Sequence, residues 1–455
     1  MPSLLGLLRI GASSLEAQQA GVAVSGNNIA NATTKGYSRR TLTIDEGRGV
    51  SGGAVAVSVD RAEDFVLSQQ LASQTGALSL ASRTGQSLSA IETVFQIGQA
   101  GQSRLAAAVT DLAQALSQLT AAPGDLTRRT AVLEKGRIVA QEFNRVGTQL
   151  TQLATATTQS ARDLVPAIND AAQQVAGLNR AILGSSTPGL PTQAGSNDRN
   201  QDQRDALAQK LAELAGGSLL RNPDGTYNIL VNGLALVHGT EAQALSLTTL
   251  PNGSVSAAVG GQTVQGALSG QLGGLLQAGA INTRLQGQID HLAFDLSSAI
   301  NAQHALGVGL DGKGGRPFFT PLAAASGAAS QMALDPTLRA DQLAAGFTAA
   351  PGDNGNALAL ATLIDQPVLD GGRSNFQSFY SSITATLGFD VQRAQSDESR
   401  ATDQQAALSA QQQAVIGVST DEEMAQVLAY QRAFEASSRF VQVVDEMLQR
   451  LVQVT

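Results

Sequence analysis

The 455-residue chain is too long for one compact core, so two or three domains are expected. Its net charge of -8 argues against a nucleic-acid-binding protein, because such proteins normally carry a basic face. Cysteine is absent, which excludes a thiol nucleophile, a thiolate metal site and a disulfide framework. The apolar stretch LLGLLRI has no basic region before it and no small-residue cleavage site after it, so no cleaved signal peptide is predicted.

The first 30 residues predict a helix with an apolar seam, because apolar residues recur there every seven positions. The seam consists of Leu8, Leu15, Val22 and Ile29. Gly11, Gln18 and Ser25 stand between these residues and weaken the seam. The helix is predicted to end in the asparagine-rich stretch GNNIANATTKGY, since asparagine tolerates the left-handed conformation that terminates helices.

The middle of the chain changes character twice. Alternating residues over 40–60 predict a β-hairpin around a Gly-rich loop. Long helices with a kink at Pro166 are expected over 61–183, before a Gly/Pro/Ser-rich linker over 184–197. Turn dipeptides between β-branched runs then predict a small β insert over 217–268.

Helices are expected again over 271–301 and 374–413, separated by an irregular Gly/Ala/Pro segment. In the last helix the seven-residue repeat returns at Val427, Phe434, Val441 and Leu448. Ser419 precedes Glu422 by three residues, which is the spacing of a helix-starting capping box. Each terminal helix alone could pack on an ordinary core, but two matching seams at opposite ends indicate that the ends pair.

These elements predict a mainly α fold with a small β insert, elongated, with nested discontinuous domains. Residues 1–40 and 417–455 would form a terminal coiled-coil domain. Residues 41–216 and 269–416 would form a long-helix body with a β-hairpin. Residues 217–268 would form a peripheral β insert domain whose two ends lie close together.

No catalytic, cofactor-binding or metal constellation is predicted, so the protein is not expected to be an enzyme. GVGLDG at 307–312 fits the glycine spacing of a dinucleotide fingerprint, but a helix precedes it where a strand is required. Asp421, Glu422 and Glu423 could form a carboxylate cluster. Their place at a helix start is explained by capping and the helix dipole.

Two stretches together resemble the terminal motifs of the axial proteins of the bacterial flagellum, which are rod, hook and hook-associated proteins. They are GNNIANATTKGY and GVSTDEEMAQVLAYQRAFEASSRFVQVVDEMLQRL. Four internal stretches resemble the hook-associated proteins: DQRDALAQKLAEL, TYNILVNGLALVHG, NAQHALGVGLDG and GDNGNALALA. The chain departs from the family at Lys35, where Pro is frequent, and at Ser419 and Thr420, where Asn-Leu is frequent.

The resemblance implies a structural subunit of the junction between hook and filament, which assembles outside the cell after type III export. It implies contacts with further copies in a ring or helical layer, with the hook protein, with a second junction protein and with a cytoplasmic export chaperone. Neither nucleic acid nor a membrane is implied as a partner. The alternatives left open are another axial subunit, such as a hook or rod protein, and an adhesin that binds a ligand through the β insert.

The resemblance also assigns residues to roles. The assembly interface comprises the two seams and the turn: Leu8, Leu15, Val22, Ile29, Asn27, Asn28, Asn31, Gly36, Tyr37, Val427, Phe434, Val441 and Leu448. Candidates for chaperone binding are Val427, Phe434 and Val441, because an apolar stripe on an unpaired helix is an aggregation hazard. The asparagines could bond within one molecule or to neighbouring molecules, and both interpretations remain open.

Overall fold

The architecture is mainly helical with small antiparallel sheets, as the sequence predicts. The computed structural model describes residues 4–34, 36–46, 54–95, 103–185, 194–250, 253–350, 352–369 and 371–454. The Gly-rich loop of the first hairpin, the position of Lys35 and most of the predicted linker lie outside these residues.

The described residues form helices α1 to α10 and strands β1 to β9. In chain order, the helices are Leu4–Asn31, Phe65–Phe95, Arg104–Thr120, Leu126–Ser185, Ala194–Ala215, Gly270–Ala305, Ala328–Gln331, Gly355–Leu363, Phe376–Ile416 and Thr420–Val454. The strands are Arg40–Glu46, Ala54–Arg61, Ser218–Arg221, Tyr227–Val231, Leu234–His238, Glu241–Ala242, Leu245–Thr249, Val255–Val259 and Gln262–Thr263. Strands β1 and β2 pair, β3 to β6 form one sheet in chain order, and β7 to β9 form another.

Side-chain caps and turns set several of these boundaries. Ser103 accepts a hydrogen bond from the Ala106 amide at the start of α3, and Asn375 accepts one from the Ser378 amide at the start of α9. Helix α4 continues through Pro166, so the expected kink does not end it. The 60-residue helix α4 is therefore the central element of the body, because both apolar cores pack against it.

The first apolar core lies where α2, α3, α6 and α9 surround the N-terminal half of α4. Leu112, Phe143 and Leu285 are among the residues there that are fully buried. The irregular segment after α6 closes this core with the neighbouring rings of Phe318 and Phe319, whose centroids are 4.8 Å apart. Residues for which the sequence predicts no helix or strand thus contribute to the core.

A second apolar core joins the C-terminal half of α4 and α5 to the β insert. Ile168 and Val175 of α4 and Leu211 of α5 are fully buried against strand residues such as Ile229 and Leu236. The insert was predicted to be peripheral because it interrupts two helical runs. Instead, its sheets supply one wall of a core that the helices need, although the three predicted domain boundaries remain predictions.

The two ends of the insert adjoin, as the sequence predicts. Gly216 and Gly270 have φ angles of 71° and 72°, a region that favours glycine. A Cβ atom on Gly270 would lie 2.6 Å from the backbone nitrogen of Gly216. Because both positions are glycine, the chain can pass from α5 into the insert and return from the insert into α6 at neighbouring positions.

Replacing residues 218–268 with a short Gly/Ser bridge should be sterically tolerated, since the ends already meet. We expect this deletion to lower the midpoint of thermal unfolding, because Ile168, Val175 and Leu211 become exposed and each contributes about 1.5–3 kcal/mol when buried. Circular dichroism of the full chain and the deletion measures the difference. An unchanged midpoint would contradict a shared core.

Candidate assembly site

The first and last helices of the chain pair with each other, as the sequence predicts. Helices α1 and α10 run antiparallel, since Gly11 lies against Val441 and Gly21 lies against Tyr430. Between these contacts, the hydroxyl groups of Ser14 and Ser437 are 2.9 Å apart and share a hydrogen bond. The last helix of the chain therefore packs alongside the first.

The closest approach of the two helices depends on small side chains in α1. The buried residues of α1 are Gly6, Gly11, Ala17, Gly21, Ser25 and Asn28. A Cβ atom on Gly21 would lie 2.7 Å from the ring of Tyr430, and one on Gly11 would overlap the Val441 side chain. Gly11, one of the positions that weaken the seam by sequence reasoning, is thus a place where α10 comes very near.

The predicted seam residues flank these contacts. Leu8, Leu15, Val22 and Ile29 of α1 are each half-buried. So are Val427, Phe434, Val441 and Leu448 of α10, which lie on the same side of that helix as the buried Val444. Among the predicted α10 residues, Val441 lies against Gly11 of α1. That these residues contact other subunits remains a prediction.

Asn28 fastens the end of α1 to the first strand. Its side-chain nitrogen donates to the Arg40 carbonyl at 2.8 Å, and its side-chain oxygen accepts from the Arg40 amide at 3.0 Å. The same oxygen accepts a hydrogen bond of 2.8 Å from the Tyr37 hydroxyl. Asn28 is fully buried, and these bonds satisfy its amide.

The other predicted turn residues act locally. Asn27 donates to the Ala23 carbonyl at 3.0 Å, and Asn31 donates to the Asn27 carbonyl at 2.9 Å. Gly36 has a φ of 84°, which accounts for glycine at this turn. Within one subunit the three asparagines form an intramolecular turn. Their contacts with neighbouring subunits remain a prediction.

Arg39 joins three segments at the base of the helix pair. Its amide donates to the carbonyl of Ile416 at the end of α9, at 2.9 Å. Its guanidinium pairs with Glu423 at 2.8 Å and with Glu422 at 3.3 Å, at the start of α10. Glu423 is 2% exposed. The predicted cap is also present, because the Ser419 hydroxyl accepts a hydrogen bond from the Glu422 amide at 3.4 Å. The ion pairs with Arg39 give Glu422 and Glu423 a second role, which is to hold the start of α10.

A network of two arginines and three aspartates, here called the arginine–aspartate network, connects the hairpin to α5. Arg61 pairs with Asp202 at 2.8 Å and with Asp205 at 2.7 Å. Arg40 lies 3.5 Å from Asp202 and 3.4 Å from Asp198, the latter an ion pair without hydrogen-bond geometry. The network therefore ties the strand that follows the asparagine turn to the helical body.

Burial and charge act against each other in this network. Burial raises the pKa of Asp198 and of Asp202, although the neighbouring arginines oppose the shift. Burial acts to lower the pKa of Arg61, but the adjacent aspartates outweigh it and raise that pKa. Burial also raises the pKa of Tyr37, whose ring centre is 5.2 Å from the Arg40 guanidinium. Removing one partner would leave a buried charge unpaired.

Sequence reasoning missed the arginine–aspartate network. One local signal was available, because Asp198, Asp202 and Asp205 share one face of a helix at spacings of four and three. Nothing in that spacing indicates the strand residues that they meet.

Within the residues that the structure describes, no group of three histidine, cysteine, aspartate or glutamate side chains is placed to hold a metal ion. In the same part of the chain, no helix has both the length and the apolar character needed to cross a bilayer.

The glycine contacts make a direct prediction. Gly21→Leu places a side chain where the Tyr430 ring lies, and overpacking of this kind costs about 1–3 kcal/mol. Gly26→Leu is the matched control, because a Cβ atom at Gly26 has nothing within 4 Å. Hydrogen exchange should accelerate in α1 and α10 of the first variant only. Equal exchange in the two variants would contradict the close pairing.

Comparisons with known proteins match both ends and the middle of the chain. The model of the flagellar hook-associated protein FlgK helical domain matches residues 88–319, just over half of the chain. The model of the flagella basal body rod protein matches residues 8–37, and that of the flagellar basal body rod FlgEFG protein C-terminal matches residues 411–454. The last two matches thus cover the paired helices.

Two relatives and one solved structure are similar over long stretches. The flagellar hook-associated protein 1 of Bacillus subtilis (strain 168) is 25% identical over 96% of this chain and 96% of its own. That of Escherichia coli (strain K12) is 25% identical over 68% of this chain and 58% of its own. The flagellar hook junction protein FlgK from Burkholderia pseudomallei covers 76% of this chain and 100% of its own, with a TM-score of 0.61 and 16% identity, which shows the fold alone.

Since the helical-domain model covers half of the chain, the chain belongs to the family of flagellar hook-associated protein FlgK, the structural protein of the hook–filament junction.

Proposed function

We propose that this chain forms the layer between the flagellar hook and filament, and that its paired terminal helices are the part that assembles. The observation that carries the proposal is the place of the family matches. The rod-protein models match the two helices that pair, at 8–37 and 411–454, and the hook-associated model matches the body. This division favours a junction subunit over a hook or rod subunit.

The surface of the helix pair supports assembly with further copies. Several of its large apolar side chains are exposed in the single subunit: Leu5, Met424, Leu428, Phe440, Val443 and Met447. Exposed apolar surface of this kind marks protein–protein contacts. Neighbouring copies in a ring or helical layer would bury these side chains, with the hook protein on one side and a second junction protein on the other.

The base of the pair supports a fixed angle between the assembling helices and the body. Arg39 holds the start of α10, and the arginine–aspartate network holds the strand that follows α1. Force applied to the body would pass through these ion pairs to the helices. A subunit between a bending hook and a stiff filament has to transmit such force.

Export and the chaperone complete the proposal. The chain would leave the cytoplasm through the flagellar type III apparatus, unfolded and without a cleaved signal, and act outside the cell. Before export, α10 lacks the cover of α1. A cytoplasmic chaperone would then cover the apolar stripe of Val427, Phe434 and Val441, which α1 half-buries in the folded subunit.

Deleting the gene for this chain from its own organism tests the proposal. We expect intact hooks without filaments, and filament protein released unpolymerised into the medium, because the layer that receives it is missing. Electron microscopy of the cells and an immunoblot of the medium measure this, with a plasmid copy as the control. Filaments in the deletion strain would refute the proposal, and loss of hooks would indicate a hook or rod subunit.

The chaperone surface has its own test. Val427→Asp, Phe434→Asp and Val441→Asp together put charges into an apolar stripe, so affinity for the purified chaperone should fall at least tenfold, about 1.4 kcal/mol. The control replaces the exposed Gln426, Gln431 and Gln442 with Asp and should bind normally. Calorimetry decides. Equal affinities would move the chaperone site elsewhere.

A further inference from the structure

The first β-hairpin packs with the two terminal helices and not with the long helices of the body. Helix α1 lies against both β1 and β2 as well as against α10. Among the elements that the structure describes, none of these four packs extensively against any of the others. The four elements therefore form one unit, here called the terminal unit, and the remaining helices and strands form the body.

Among the residues that the structure describes, no apolar core joins the terminal unit to the body. Both apolar cores lie between Phe65 and Ala394 in the sequence, and the terminal unit lies outside that range. Two units whose interface is neither large nor hydrophobic are expected to move relative to each other. A contact of another kind is therefore needed to fix the angle between them.

The chain passes between the terminal unit and the body at two places, and both places meet at Arg39. The amide of Ala62, which follows β2, donates a hydrogen bond of 2.8 Å to the Arg39 carbonyl. The Arg39 amide donates in turn to the carbonyl of Ile416, at the end of α9, at 2.9 Å. This joint, here called the pivot, holds the two units together at one point and leaves their angle to other contacts.

The arginine–aspartate network lies beside the pivot and connects the two units. Arg40 and Arg61 belong to the terminal unit. They face Asp198, Asp202 and Asp205, which lie on α5 of the body. The first and last of these aspartates are seven positions apart, about 10 Å along the helix at 1.5 Å per residue. Ion pairs distributed over that length oppose rotation about the pivot.

Asp202 is the central residue of the network, because it contacts both arginines. It lies 2.8 Å from Arg61 and 3.5 Å from Arg40. The side chains of Asp202, Arg61 and Arg40 are 15%, 7% and 14% exposed, so dissolved salt screens these pairs weakly. Removing one partner from such pairs leaves the opposite charge without full compensation. Substitution at Asp202 is therefore a sharper probe of the network than a change of salt concentration.

We propose that the terminal unit, with the hairpin included, can turn about the pivot and that the arginine–aspartate network holds it at one angle. The inference concerns the single folded subunit, so it goes beyond the proposed function and does not depend on it. The terminal unit then extends to residue 61, whereas the sequence predicts a boundary at residue 40. With the network intact, the subunit presents its paired helices to neighbouring molecules in one orientation.

Distances between two spin labels test the inference in the purified full-length chain, which has no cysteine of its own. Gln404→Cys and Gln431→Cys place labels at exposed positions of α9 and α10, on opposite sides of the pivot. Pulsed electron paramagnetic resonance measures the distribution of distances between the labels. We expect a narrow distribution for the intact network. Asp202→Asn should broaden it about twofold, because both arginines lose the carboxylate that they share.

Asp390→Asn is the matched control for the loss of a carboxylate. Asp390 pairs with Arg284 between α9 and α6, so this substitution removes one ion pair inside the body and leaves the network intact. The distribution of label distances should therefore stay narrow. Circular dichroism of both variants measures whether the helices are retained.

Arg40→Gln tests the network from the terminal unit and decides the question if Asp202→Asn loses helical signal. The hydrogen bonds between Arg40 and Asn28 use the backbone of Arg40, so this substitution retains them. The inference is overturned if the intact network already gives a broad distribution, or if Asp202→Asn and Arg40→Gln both stay narrow. It is also overturned if Asp390→Asn broadens the distribution as much as Asp202→Asn.

Discussion

The antiparallel contact between the first and last helices is the constraint on which the rest of the molecule depends. A chain whose ends must lie together has to lead out and return, so its body is built from segments far apart in sequence. Helices α2 and α9 lie side by side for this reason, as the bond between Gln74 and the Ala401 carbonyl illustrates. The two ends of the β insert also lie together, since Gly216 and Gly270 are in contact.

Periodicity made the ends of the chain predictable. A seven-residue repeat identifies a paired helix without knowledge of its partner, and two such repeats at the two termini identify each other. Val427 and Phe434, which the repeat assigned to the paired face of α10, are half-buried. The same reasoning treated Gly11 as a weak point of the seam and did not single out Gly21, because a pattern of apolar residues shows which side chains fill a seam and not where two backbones come close.

Long-range packing was not predictable from local pattern. The β insert shows strand and turn signals that are correct, yet nothing in them indicates that Ile229 packs against α4 and α5. The arginine–aspartate network has the same difficulty, because Arg61 and Asp202 are 141 positions apart. Such contacts depend on how elements are brought together, and that information is spread over the whole chain rather than held in any one motif.

The glycines of α1 connect the fold to the way the subunit works. A glycine in a helix interior costs roughly 0.5–1 kcal/mol relative to alanine, and α1 contains Gly6, Gly11, Gly21 and Gly26. A helix of this composition is marginal in isolation, so its order must come from tertiary contact. Gly11 and Gly21 are buried where α10 approaches, which means that residues that destabilise the free helix also permit its pairing. The first helix is therefore ordered by its contact with α10.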